Sequence, residues 1–289
     1  ISSITNNSPT IFPLGITNVI WTATDNNGNI IECSQTVTVI DTIAPTAICQ
    51  NINAYLDLSG NVSITANDID GGSFDNCGNI NLSASNTNFT CTEVGPNNIT
   101  LNVDDGNGNT SSCTAIVTVI DTISPNAVCQ DITVYIDVTG NVSITANDIN
   151  GGSSSNCGNV NVNLFASNTN FTCADIGNNN VTLTVGDGNG NSSSCTAIVT
   201  VIDSITPILT CPPNITLPND PGMCSASIVN IGQVSSQENC SIASITNNGI
   251  PSNIYPVGIT DVIWTTSDLN GNTSQCLQTI TIIDKKIKE

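Results

Sequence analysis

The feature that most constrains this chain is that it repeats itself. VTVIDT at 37–42, VTVIDT at 117–122, VTVIDS at 199–204 and ITIID at 280–284 place Asp41, Asp121, Asp203 and Asp284 about eighty residues apart. A period of that size is a domain rather than a solenoid turn, so each unit must close its own core. Two units are near-copies: SGNVSITANDIDGGS (59–73) against TGNVSITANDINGGS (139–153), and ASNTNFTC at both 84–91 and 166–173. The opening segment matches the second half of the last unit, with FPLGITNVIWTATDNNGN (12–29) and CSQTVTVID (33–41) facing YPVGITDVIWTTSDLNGN (255–272) and CLQTITIID (276–284). The expected division is therefore 1–41 as the C-terminal half of a module, 42–121 and 122–203 as two similar modules, 204–284 as a more distant one, and 285–289 as a tail or the start of a next linker.

Cysteine follows the same period. Each full module holds four, at 49, 77, 91 and 113, then 129, 157, 173 and 195, then 211, 224, 240 and 276, and the half module adds Cys33. With no His in the chain and no CxxC pair, zinc and redox centres are a poor fit, and disulfides in an oxidising compartment are the simpler reading. Four cysteines admit three pairings. We favour first with fourth (Cys49–Cys113, Cys129–Cys195, Cys211–Cys276) and second with third (Cys77–Cys91, Cys157–Cys173, Cys224–Cys240). Cys33 corresponds to Cys276, so its partner is expected upstream of residue 1.

Short β-branched runs separated by Gly, Asn, Asp and Ser predict strands, read in the second module as 54–57, 61–66, 79–84, 97–103 and 113–120. No apolar run keeps a 3.6-residue spacing for three turns, and Asp105-Gly106 and Asn107-Gly108 mark tight turns. Pro45, Pro125 and Pro207 follow the repeated Asp and predict short, stiff linkers. The fold class expected is all-β: an extended tandem array of immunoglobulin-like β-sandwich modules stapled by disulfides.

The last module resembles the hyalin repeat, on TPILTCPPNITLPNDPGMCSASI (206–228), ENCSIASITN (238–247), YPVGITDVIWTTSDLNGN and CLQTITIID. The two central modules look like divergent companions found in tandem in large bacterial surface proteins; they lack the GxCSA cysteine and carry the FTC cysteine instead. The resemblance implies an immunoglobulin-like fold, an extracellular or cell-surface location, and adhesion or scaffolding rather than catalysis.

Charge narrows the partners. A net charge of −20, with the only cationic side chains at Lys285, Lys286 and Lys288, excludes nucleic acid and anionic membrane surfaces. No apolar run is long enough to insert in a membrane. Without His, the nucleophilic triads and His-metal sites of enzymes cannot be built. The acidic excess can instead recruit Ca2+. In an immunoglobulin-like module the entering linker and two loops share one pole, which would gather Asp41, Asp68, Asp70, Asp75, Asp104 and Asp105 as oxygen ligands. In the third module Asp121, Asp148 and Asp187 would form a weaker set, because Asn150, Ser155 and Gly186 replace three acids.

The same Asp and Asn residues also make turns without metal. Asp-Thr-Ile or Asp-Ser-Ile puts Thr42, Thr122 and Ser204 at each junction, resembling an O-glycosylation motif of gliding bacteria. Sequons at Asn61, Asn98, Asn141 and Asn214 arise from composition. Trp21 and Trp264, at equivalent positions, read as core or half-buried strand residues rather than a sugar-stacking platform. The expectation is a stalk or filament segment of a large secreted or surface protein, its partners being neighbouring modules. The competing reading is direct gripping of surface glycans or proteins by loops or strand faces.

Overall fold

The computed structural model describes residues 1–158, 163–228 and 230–285. The tail residues 286–289 lie outside the described residues. The chain divides into two compact units, Ile1–Ile123 with Asn156–Val160, and Ser124–Ser155 with Asn161–Glu289.

In the first unit, a four-stranded sheet runs Ile52–Tyr55, Thr110–Ile120, Gly95–Asp104, Asn81–Ala84 in spatial order. Its first pair is parallel, Ile52 facing Val117 and Tyr55 facing Ile120; the others are antiparallel. A two-stranded ladder, Asn61–Ser63 with Asn88–Thr90, completes this repeat. Side chains alternate across the pleat as strand geometry requires. Ile99, Leu101 and Val103 point in from one strand and Ala115, Val117 and Val119 from its partner, meeting Ala54, Leu56, Ile64, Ile69 and Phe89 in one core. Each buried Ile, Leu, Val or Phe contributes about 1.5–3 kcal/mol of transfer free energy. Truncating fully buried Phe89 to Ala would cost about 3–5 kcal/mol.

The second unit contains the same plan twice. One sheet orders Ile132–Tyr135, Ser192–Ile202, Gly177–Gly186, Asn163–Ala166, with Asn141–Ser143 against Asn170–Thr172. The other orders Ile215–Pro218, Thr273–Ile283, Gly258–Asp268, Ile242–Asn247, with Ser225–Ser227 against Ile254–Pro256. The last repeat adds a ladder of Ile208–Thr210 with Ser235–Gln237.

The N-terminal segment is a three-stranded sheet, Ser3–Asn6, Gly15–Thr24 and Ile30–Val39. Its Trp21 is 36% exposed where the equivalent Trp264 is 6% exposed. Both indole N–H groups donate to the glutamine across the strand pair, Gln35 at 3.0 Å and Gln278 at 3.1 Å.

Among the described residues there is no α-helix, only 3₁₀ turns such as Ala66–Ile69, so the segment expected as one strand over 61–66 breaks after Ser63. The cause is local: Asp68 accepts the N–H and hydroxyl of Thr65, closing a capping box that ends the extended run.

Candidate functional site: junctional loops and their bridges

The repeated Asp lies at the centre of each junction. Asp203 is buried, and its Oδ1 accepts the Ile205 N–H at 3.1 Å and the Asn239 amide at 3.3 Å. Its Oδ2 takes the Asn270 amide at 3.1 Å, and its backbone carbonyl takes the Asn272 amide at 3.2 Å. Asn239 also donates to the carbonyl of Asp137 in the preceding repeat, at 3.3 Å. Asp121 shows the same grammar: Oδ1 accepts from Ile123 and from Asn156, each at 3.1 Å, and Asn156 reaches the Asp57 carbonyl at 3.5 Å. A buried carboxylate is tolerable only when it is surrounded by donors, and here amides from a neighbouring loop supply them.

The loops that supply those amides also carry cysteines. Cys49–Cys113, Cys129–Cys195 and Cys211–Cys276 are formed, joining the start of each repeat to its last strand. The expected bridges Cys77–Cys91, Cys157–Cys173 and Cys224–Cys240 are not. Cys91 bonds Cys157, and Cys173 bonds Cys240, so the remaining bridges run from one repeat to the following one. The correction has a geometric reason. Cys77 follows Asn76 in the loop that faces Asp41, whereas Cys91 ends the short ladder beside Gly60 and meets the loop of Asn156. The two cysteines of one repeat thus serve two different junctions. Cys33, Cys77 and Cys224 are unpaired and exposed.

The candidate cation ligands are only partly brought together. Asp41 and Asp75 join Cys77 in a cluster whose ligand atoms lie within 4.8 Å of one another. Oδ2 of Asp41 and Oδ1 of Asp75 are buried and accept no hydrogen bond. Asp105 is near enough for its charge to act on Cys77, but it holds its own turn, accepting the N–H groups of Asn107 and Asn109 at 2.8 and 3.0 Å. Asp68 is occupied by Thr65, Asp70 accepts from Ser73 at 2.9 Å, and Asp104 accepts from Gly106 at 2.6 Å. In the third repeat Asp148 closes the Thr145 turn and Asp187 the turn to Asn191. Thr42, Thr122 and Ser204 are exposed beside their buried Asp.

Electrostatics follows these contacts. The neighbouring Asp41 side chain, burial, and the charges of Asp75 and Asp105 push the Cys77 thiol above its ordinary range. The Thr65 N–H and hydroxyl hold Asp68 below the usual carboxylate range. For Asp105, burial works upward, and the Asn109 side chain with the turn N–H groups outweighs it, so the net shift is down.

One group was not anticipated. Asp203, Glu238 and Asp268 also gather their carboxylates within 4.8 Å. The signal lay in the alignment: Glu238 precedes Cys240 by the same step as Asp75 precedes Cys77, and Asp268 heads the same DxxGN turn as Asp105. Oxygens of Asp203 and Asp268 are taken up by amides, while Oε2 of Glu238 is buried without a partner.

Comparison with known proteins agrees with the hyalin-type reading of the last repeat. Residues 202–282 match the HYR domain model. A relative named Hyalin, from Strongylocentrotus purpuratus, is 28% identical over 94% of this chain, which spans 24% of that protein's length. Among solved structures, the protocadherin GammaB4 extracellular domain matches at 15% identity and a TM-score of 0.31, over 93% of this chain and 55% of that one. Titin domains I67–I69 match at 10% identity and 0.35, over 83% and 99%. By sequence, then, the chain is similar to hyalin-repeat proteins, and the family match falls on its last repeat.

Proposed function

We propose that this chain is a structural, adhesive segment of an extracellular or cell-surface repeat protein, in which the second, third and fourth repeats are covalently joined in series. The observation that carries this reading is the pair of bridges Cys91–Cys157 and Cys173–Cys240, which cross from repeat to repeat. An intra-repeat bridge stabilises a domain; a bridge across a junction does little for either core and instead restricts how neighbouring repeats move. Buried Pro45, Pro125 and Pro207 act in the same direction, since a proline fixes φ just where the linker enters each repeat. The acidic surface and the absence of His favour a load-bearing or binding role over catalysis.

Calcium belongs to this reading at one junction. Asp41 and Asp75 would hold it through the two buried oxygens that lack donors, a hard-oxygen pair of the kind calcium takes. The exposed Thr42, Thr122 and Ser204 are proposed as glycan attachment points, which an intact-mass measurement on native material would test.

The reading is tested by small-angle scattering of the oxidised chain and of a variant lacking both junction bridges (Cys91→Ser, Cys157→Ser, Cys173→Ser, Cys240→Ser). The expected result is a longer, narrower range of end-to-end distances in the oxidised chain. Identical scattering from both would overturn it.

A further inference from the structure

At one point in its core the last repeat departs from the two before it. Ladder register aligns Phe89 and Phe171 with Tyr255, since each faces the middle of its partner strand, at Val62, Val142 and Ala226. Pairing with the final strand aligns Leu101 and Leu183 with Trp264, each opposite the last cysteine of its repeat. Two residues beyond that cysteine, Ala115 and Ala197 align with Gln278. An apolar trio is thus replaced by three side chains that carry polar atoms, all of them buried. Two are satisfied within the repeat. The Trp264 indole donates to Gln278 Oε1, and Gln278 Nε2 donates to the carbonyls of Pro213 and Ile231 at 2.9 and 2.7 Å. The third is not: Tyr255 is 0% exposed, and its hydroxyl has no hydrogen-bond partner among the described residues.

That hydroxyl lines a recess. A cavity of about 290 Å³ is walled by Tyr255, Trp264, Ile231 and three asparagines, Asn230, Asn247 and Asn253. Two of the amides are set in place. Asn230 Oδ1 accepts the Gly232 N–H at 2.8 Å and Asn247 Oδ1 the Gly249 N–H at 3.0 Å, which leaves their NH₂ groups as donors. Gly249 keeps the space clear, because a Cβ built there would lie 2.9 Å from Asn247 Oδ1 and 3.1 Å from the Tyr255 hydroxyl. Asn253 closes one end of the short ladder, its carbonyl accepting the Ile228 N–H at 2.8 Å. The opposite end is the one that meets a following repeat: Gly60 and Gly140, which approach the carbonyls of Asn156 and Asn239, align with Cys224. The cavity therefore lies away from that contact.

Its chemistry selects a ligand class. No charged side chain lines it, so an ion of either sign finds no counter-charge there. The net charge of −20 further disfavours anions. An apolar molecule would leave the Tyr255 hydroxyl and the amide donors buried without partners. A neutral molecule bearing many hydroxyls satisfies them, since each hydroxyl both donates and accepts. The volume is at the small end for ligand sites and admits one pyranose ring. We propose that the last repeat binds a single neutral sugar residue, the exposed end of a glycan, in this cavity, with the Tyr255 hydroxyl as its innermost hydrogen-bond partner. The fold itself does not need that hydroxyl, because Phe89 and Phe171 fill the same place without one.

The test titrates the full oxidised chain with glucose, galactose, mannose and N-acetylglucosamine, and with glucuronate as a charged counterpart. Binding is read from saturation-transfer NMR and from the side-chain amide signals of Asn230, Asn247 and Asn253. We expect at least one neutral sugar to bind with a millimolar dissociation constant and move those amides, and glucuronate to leave them unmoved. Tyr255→Phe should weaken binding about tenfold. Its melting temperature should stay level or rise, because the change removes a buried hydroxyl that nothing in the repeat pairs. Gly249→Ala, at a backbone position outside the left-handed region, should abolish binding by filling the space. No response to any neutral sugar, or equal binding by Tyr255→Phe, would overturn the inference. A Tyr255→Phe chain that melts lower than the native one would also overturn it, by showing that the hydroxyl serves the fold. None of these results bears on the junction bridges, so the proposed function stands or falls separately.

Discussion

Cys173 and Cys240 are 67 residues apart in sequence and 5.5 Å apart at their Cα atoms, one in the third repeat and the other in the fourth. Their bond spans a junction, whereas Cys129–Cys195, at a separation of 66, encloses a single core. Removing the enclosed bridge (Cys129→Ser, Cys195→Ser) should lower unfolding stability by about 4 kcal/mol, the loop-closure term for that length. Removing Cys173–Cys240 should change the urea midpoint of the repeat far less and instead speed proteolytic cleavage between Asp203 and Pro207. Equal midpoint shifts for the two would contradict this division of roles.

Gly140→Ala should be costly. The residue has a φ of +76°, and its added Cβ would meet the Cys173 sulfur at 2.7 Å. Left-handed backbone alone costs about 1–2 kcal/mol for an L residue, before the clash is counted. Gly152→Ala shares the positive φ but has open space around it, so it should show only the backbone part. Chemical denaturation of both variants separates the two contributions.

Asp268 accepts the N–H groups of Asn270 and Asn272 at 2.9 and 2.8 Å and the Asn272 amide at 2.7 Å, at 2% exposure. Asp268→Ala should destabilise by about 2–3 kcal/mol, the cost of stripping a charged acceptor from buried donors. Asp268→Asn keeps one oxygen and should recover part of the loss. Thermal unfolding reads both.

Acid should remove a contribution to stability from four turns. Asp25, Asp68, Asp137 and Glu93 are all held below their ordinary pKa values by hydrogen bonds, from Asn29, Thr65, Thr139 and Thr90 first of all. A depressed folded-state pKa contributes stability above the unfolded value, and that stability disappears as pH falls through the folded one. The melting temperature should therefore be flat from pH 7 to about 5 and drop below about pH 4. A melting temperature that rises on acidification would contradict the assignment.

Millimolar calcium should raise the melting temperature of the native chain, with chelation reversing the rise, and Asp75→Ala should abolish the response. Asp187→Ala, in a turn whose oxygens are already taken up, should destabilise without removing the calcium response. Calorimetry showing no heat for the native chain would exclude the Asp41–Asp75 site.

Much of the architecture was legible because it repeats. The strands Gly95–Asp104 and Thr110–Ile120 follow from alternating β-branched residues, and the turn at Asp105 from its Asn and Gly neighbours. The short ladder strand Asn88–Thr90 was not legible, since three residues give no period to read. Nor was the second set of bridges. Cys91–Cys157 is separated by 66 residues and Cys49–Cys113 by 64, so spacing cannot tell a bridge within a repeat from one between repeats. Nor could the sequence show that Asp68 and Asp70, in the stretch expected to share a pole with Asp41, accept hydrogen bonds from Thr65 and Ser73.

The parallel pairing of Ile52–Tyr55 with Thr110–Ile120 has a mechanical consequence. With Cys49 and Cys113 reduced, tension applied through the two ends of that repeat would pull these strands past one another and shear the rungs together; the oxidised bond takes Ile52–Tyr55 out of that path. Behind them the Cys49–Cys113 bond removes the 64-residue span it encloses from the path of the force. A repeat that yields can lengthen only by the few residues outside that bond.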